Sequence, residues 1–122
     1  MFVLTVSMDF AAAHRLVNYD GQCCNIHGHT WQVEACVSSD VLDDAGMVMD
    51  FRDLKAALGS ILENYDHCLL NEVPPFNQIN PTAENIARQI YINLKPLCNA
   101  ARLTSVKVWE SPTSSALYQE DC

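Results

Sequence analysis

Positive charge is what this sequence has least of. It carries 7 Lys and Arg against 15 Asp and Glu, a formal net charge of −8. That balance repels a phosphate backbone and an anionic membrane surface, so nucleic acid and membrane are not expected as partners. No apolar run is long enough to span a bilayer. The N-terminus, Met1 to Val6, has no basic leader and no small-residue cleavage site, so no signal peptide is expected. The 6 cysteines are then read as reduced thiols of a cytoplasmic protein, not as a disulfide framework. Cys36, Cys68 and Cys98 lie in apolar segments and read as small core residues. No repeat, low-complexity segment or linker is visible. The 122 residues leave no room for a second core, so residues 1–122 read as one domain. Histidine is scarce as well. The 4 histidines are His14, His27, His29 and His67, and any imidazole chemistry must draw on them.

What is present has clear periodicity. Residues 2–10 are rich in β-branched and aromatic types and predict a strand. Residues 17–25 carry Asn, Asp, Gly and Gln and predict a loop. From His27 the chain alternates again, with His27, His29, Trp31, Val33, Ala35 and Val37 on one parity. A helix fits residues 51–64, with Phe51, Leu54, Leu58, Ile61, Leu62 and Tyr65 at helical spacing and Asp50 as N-cap. Gly59 weakens that helix by roughly 1 kcal/mol against Ala. Residues 71–81 hold prolines and asparagines and predict a loop. A second helix begins near Thr82, its N-cap, and presents Ala83, Ile86, Ala87, Ile90, Tyr91 and Leu94 until Pro96 stops it. Residues 103–110 and 115–120 predict two more strands around a turn. The order ββααββ implies an α+β fold, a four-stranded antiparallel sheet with two helices on one face. Four strands cannot close a barrel, and the free face and edges are expected to meet other subunits.

The stretch Gly21 to Trp31 holds the densest chemistry. Two residues apart on a strand, His27 and His29 share a face and could grip one metal ion. If the first two strands pair as an antiparallel hairpin, His14 lies opposite them and adds a third imidazole. Three ligands and one open position are what catalytic zinc requires, while iron, nickel or copper also suit nitrogen donors. The bland reading is that the pair is incidental and His14 a hydrogen-bonded core histidine. Cys23, on the parity of the histidines, and Cys24 read as nucleophile or base, as inert packing, or as a fourth ligand that closes a structural site. Asp66-His67 follows a helix end. It is either a polar C-terminus favoured by the helix dipole or an acid holding an imidazole for proton transfer. Glu110, beside Trp109 at a strand end, is either solvated or accepts paired N–H donors from a guanidine-like edge. Glu84 is explained by the dipole of the second helix alone.

Taken together these segments resemble the 6-pyruvoyltetrahydropterin synthase / 6-carboxytetrahydropterin synthase family. The resemblance rests on Phe10-Ala-Ala-Ala-His14-Arg-Leu16, on Cys23 and His27-Gly28-His29, and on Gly46-Met-Val-Met-Asp-Phe51 before Leu54-Lys55. It continues through Asp66-His67-x-x-Leu70-Asn71, Pro81-Thr82-Ala83-Glu84-Asn85 and Lys107-Val-Trp-Glu110. Six motifs in one order make it specific over nearly the whole chain. It implies the tunnelling fold and rings of subunits, commonly a homohexamer of two stacked trimers with active sites at interfaces. It implies His14, His27 and His29 as ligands of one Zn2+ per subunit, Cys23 as catalytic cysteine, and Asp66 and His67 as a proton relay. By the same resemblance Glu110 anchors the pterin ring, and Thr82 and Glu84 line its pocket. The substrate it implies is 7,8-dihydroneopterin triphosphate. Arg15 is the nearest cation for the triphosphate. The three residues between Cys23 and His27 resemble the bacterial carboxypterin branch, which serves 7-deazaguanine and queuosine synthesis. The sibling pyruvoyl reaction and a non-catalytic zinc-stabilised binding module stand as alternatives. Cys24 and Ser111, where threonine is common, are the departures.

Overall fold

The first two strands form a long antiparallel hairpin, β1 over Phe2–His14 and β2 over His27–Ser39, in register from Phe2 opposite Ser39 to His14 opposite His27. The computed structural model describes residues 1–18, 21 and 24–120. β1 runs further than the strand expected over residues 2–10, because Ala11 to Ala13 are small enough to continue the pairing beside Gly28. Helix α1 spans Phe51–Leu62 and α2 spans Ala83–Leu94. Each begins as its sequence predicts. Asp50 accepts from the Arg52 N–H and Thr82 from the Asn85 N–H, which satisfies one otherwise unpaired amide at each helix start. Strand β4, Arg102–Ser111, pairs antiparallel with β2, and β5, Ser114–Gln119, folds back on β4.

Among the described residues the sheet has five strands, not four. The addition is β3, Cys68–Leu69, which lies parallel to β1 at Ala12 and Ala13 and gives the order β3-β1-β2-β4-β5. Two residues cannot display a period, so no sequence pattern announces this strand. It arises because the His67 N–H donates to the Ala11 carbonyl at 2.6 Å, with His67 at a left-handed φ of 58°.

Both helices pack on one face. Trp31, Val33, Ala35 and Val37 of β2 are fully buried there, with Phe10 of β1, Val106 and Val108 of β4, Leu54 and Leu58 of α1, and Ile86 and Ile90 of α2. Phe51 departs from its predicted place, being 54% exposed at the start of α1. Among the described residues no helix is long and apolar enough to cross a membrane.

Gly59 sits where α1 meets β1. A Cβ there would come 3.3 Å from Met8 Cε, the mobile end of an adaptable side chain. Gly59→Ala is therefore expected to raise the unfolding free energy by up to about 1 kcal/mol, the helix-propensity difference. Urea denaturation checks it. A lowered midpoint would mean that Met8 cannot yield.

Candidate metal centre

Even-numbered residues of β1 face the core, so the parity that buries Val6, Phe10 and Ala12 also buries His14, which is 2% exposed. The hairpin register places His14 opposite His27 and Ala12 opposite His29. The three rings meet edge-on, with centroids 4.6 Å (His14–His27), 5.2 Å (His14–His29) and 4.8 Å (His27–His29) apart. Trp31, next on the same face, stands edge-on to His14 and His29 at 4.8 and 5.2 Å and backs the cluster with apolar surface.

Hydrogen bonds outside the cluster set which nitrogens look inward. His14 Nδ1 lies 2.7 Å from the Pro81 carbonyl oxygen, and His27 Nδ1 lies 2.7 Å from the Asn25 carbonyl oxygen. A carbonyl can only accept, so in each neutral ring Nδ1 carries the proton and donates, and Nε2 keeps its lone pair. The two Nε2 atoms face one another at 3.0 Å. Although that is hydrogen-bond distance, two lone pairs repel unless a proton or a cation lies between them. His29 Nε2 is buried and has no hydrogen-bond partner among the described residues. Burial holds the His29 pKa below the ordinary histidine range. The Glu110 carboxylate opposes that shift, and His14 and His27 add to it, so the ring is neutral near pH 7. In their neutral forms His14 and His27 thus turn Nε2 lone pairs on one point, and His29 Nε2 meets them there, which fits a zinc ion and its usual carbonyl-held outer shell.

Glu110 joins the same point from β4. Its Oε1 lies 3.1 Å from His29 Nε2 and 3.3 Å from His14 Nε2. The ligand atoms of His14, His27, His29 and Glu110 all fall within 4.8 Å of one another. The first of these contacts lacks hydrogen-bond geometry, since His29 Nε2 has no partner. Glu110 lies where the pairing of β4 with β5 shifts register, between Trp109 and Ser111. Such an irregularity re-aims a side chain.

Two open hollows adjoin the cluster and share Gly28, His29 and Thr30. One, of about 550 Å³, is flanked by Gln32, Trp109 and Glu110, and the other, also about 550 Å³, reaches Ala11 to Ala13 and His67. Asp66 and His67 stand beside the second. Asp66 Oδ1 accepts the Ala11 N–H at 2.9 Å, and Oδ2 lies 3.0 Å from His67 Nδ1, with the His67 side chain 82% exposed. The Ala11 N–H chiefly holds the Asp66 carboxyl below the usual carboxylate range; desolvation opposes this, and His67 adds to the lowering.

Other residues named from the sequence lie apart. Thr82 caps α2, Glu84 is exposed in its first turn, and neither lines either hollow. Their segment reaches the cluster through the Pro81 carbonyl instead. Arg15 lines a separate depression of about 440 Å³. Cys23 lies outside the described residues; Cys24 is exposed and unpaired. Sequence reasoning missed the two orienting carbonyls, which belong to backbone and leave no side-chain signal. It also missed two clamps. Asn71 accepts from the Arg15 N–H and donates to the Arg15 carbonyl, and Asn80 does the same to Val17, all at 2.8–2.9 Å. The asparagines of the 71–81 loop were their only sequence trace.

Residues 3–121 match the family model described as 6-pyruvoyl tetrahydropterin synthase. The 6-carboxy-5,6,7,8-tetrahydropterin synthase of Bacillus subtilis is 38% identical, over 97% of this chain and 85% of its own length. That of Synechocystis sp. is 37% identical over 97% and 93%. The 6-pyruvoyl tetrahydropterin synthase structure of Caenorhabditis elegans aligns with a TM-score of 0.87 at 28% identity, covering 99% of this chain and 98% of the other.

The Asp66 contacts carry a pH signature. A carboxyl whose folded pKa is depressed stabilises above its unfolded value, about 3.9, and loses that contribution as pH falls through the folded value. The stability advantage of the wild type over Asp66→Asn is expected in full at pH 7 and to shrink below about pH 4. Urea titrations at pH 7, 5 and 3 measure it. An advantage that persists unchanged at pH 3 would contradict the assignment.

Proposed function

Because the chain belongs to the 6-pyruvoyl tetrahydropterin synthase family, we propose that it acts as a zinc-dependent 6-carboxy-5,6,7,8-tetrahydropterin synthase. In this reading it is a carbon–carbon lyase. It converts 7,8-dihydroneopterin triphosphate and water to 6-carboxytetrahydropterin, acetaldehyde and triphosphate in the cytoplasm, in 7-deazaguanine and queuosine synthesis. The observation that carries the reading is the convergence of the His14, His27 and His29 Nε2 atoms, the first two rings held from behind by carbonyls and His29 Nε2 without a partner among the described residues. The curated relatives that bear the carboxypterin name support it.

His14, His27 and His29 would hold the ion, which when bound supplies Lewis acidity to the hydroxyls of the substrate side chain. Cys23, as thiolate, takes a proton from a side-chain carbon. His67 moves the second proton, and Asp66 orients it through the 3.0 Å contact to Nδ1. Loss of triphosphate leaves a carbonyl beside a carbon–carbon bond that can break. Glu110 accepts the paired N–H donors of the pyrimidine edge and fixes register. Thr82 and Glu84 contribute to the pterin pocket and Arg15 to the triphosphate. In this reading the latter three act with a neighbouring subunit, in a hexamer of two trimers with interface active sites. Support for such an assembly comes from the long exposed stretch of β1 beyond the two-residue β3, and from β5 at the other edge.

The solved pyruvoyl synthase relative keeps the sibling outcome in view, and the products separate the two. One acetaldehyde per triphosphate released, abolished by a chelator and restored by Zn2+, is the expected result. Triphosphate without acetaldehyde would establish the pyruvoyl outcome. Cys23→Ser is expected to keep fold and zinc but lose turnover by at least about 100-fold, in the range for loss of a proton-transfer group. Cys24→Ser is expected to stay near wild type. A Cys23→Ser protein that loses zinc and unfolds would instead identify a structural site.

A further inference from the structure

Glu110 occupies a position that its role as ring anchor does not explain. Although it lines a hollow, its Oε1 lies against the imidazole cluster, 3.1 Å from His29 Nε2 and 3.3 Å from His14 Nε2. With it the cluster offers four donor atoms within 4.8 Å. Three imidazoles leave a metal one open position, whereas four donors fill a tetrahedral shell. The four donors are not held alike. His14 is buried, and His14 and His27 are pinned from behind by carbonyls at 2.7 Å. The Glu110 side chain is 35% exposed. It lies past the last paired residue that β4 shares with β2, Trp109 opposite Gln32, and at the irregularity between β4 and β5. Among the described residues it also has no orienting hydrogen bond of its own. Beside it opens a hollow of about 550 Å³ walled by Trp109 and Gln32, wide enough for a flat heterocycle.

We propose that Glu110 exchanges between two stations. Without pterin, Oε1 serves as the fourth donor and closes the metal site against water and stray ligands. When a pterin enters the hollow, the paired N–H groups of its pyrimidine edge take the carboxylate, and the fourth position falls open to the substrate side chain. One residue then couples recognition of the ring to opening of the site. The exchange rests on the pterin reading above, while the first station rests on the geometry alone.

The coupling is reciprocal by linkage. A pterin that removes one donor weakens metal binding, and the metal weakens binding of that pterin by the same factor. A suitable probe is 6-methylpterin, which has the pyrimidine edge but no side-chain hydroxyls to replace the carboxylate. Co2+ in place of zinc reports the donor set by its visible spectrum. Without pterin, wild-type and Glu110→Gln proteins should give different Co2+ spectra. The variant should also bind Zn2+ at least about 10-fold more weakly, the loss that even an outer-shell partner produces. Adding 6-methylpterin should move the wild-type spectrum toward that of the variant and leave the variant unchanged. Metal-free wild type should bind 6-methylpterin more tightly than the zinc-loaded protein. Identical spectra and equal zinc affinities without pterin would overturn the proposal. So would a wild-type spectrum that stays fixed while 6-methylpterin is bound, since Glu110 would then be a permanent ligand. If 6-methylpterin does not bind at all, the exchange and the pterin reading fall together, and the spectral difference between the two proteins would still identify Glu110 as a donor.

Discussion

The hydrogen bond from His14 Nδ1 to the Pro81 carbonyl is short, at 2.7 Å, and buried, and it joins the end of β1 to the chain entering α2. Its partner runs from His27 Nδ1 to the Asn25 carbonyl at the same distance, just before β2 begins. Each fixes a tautomer, and together they set two Nε2 lone pairs 3.0 Å apart. In the absence of a cation that arrangement is repulsive, so the scaffold must impose it. The hairpin register imposes it from below, the Trp31 ring and the helix-bearing face from behind, and the Asn80 clamp on Val17 from the side. Metal affinity and fold stability are therefore coupled, because binding relieves a repulsion that folding creates.

The residues proposed to move protons or hold a substrate are anchored differently. Glu110 sits at an irregularity, and His67 takes a left-handed backbone with its ring in solvent. Both stand where the regular ladder stops. A sheet interior holds ligands to within a fraction of an ångström, while its ends allow a carboxylate or an imidazole to respond to what arrives. The division between a rigid triad and responsive partners follows from where the strands end.

Much of this was legible in the sequence because it is periodic. Alternation in His27 to Val37 names the buried face of β2, and the 3.6-residue spacing from Leu54 and from Ile86 names both helix faces. The antiparallel hairpin that would bring His14 opposite the His27–His29 pair forms, with His14 opposite His27. Backbone chemistry was not legible. The Pro81 and Asn25 carbonyls carry no side-chain label, and β3 is two residues long. Phe51 fits the helical period yet is 54% exposed at the first position of α1, while Leu54 one turn on is fully buried. The turn of Glu110 toward the imidazoles depends on a register shift that no spacing rule anticipates.

The most direct measurement is long-range proton–nitrogen NMR on histidine-labelled protein, without metal and with one equivalent of Zn2+. In metal-free protein near pH 7, His14 and His27 should each show a protonated Nδ1 and an unprotonated Nε2. Zinc should shift the Nε2 resonances of His14, His27 and His29 and leave the Nδ1 protons in place. A protonated Nε2 on His14 or His27, or zinc shifts that spare these three rings, would contradict the account.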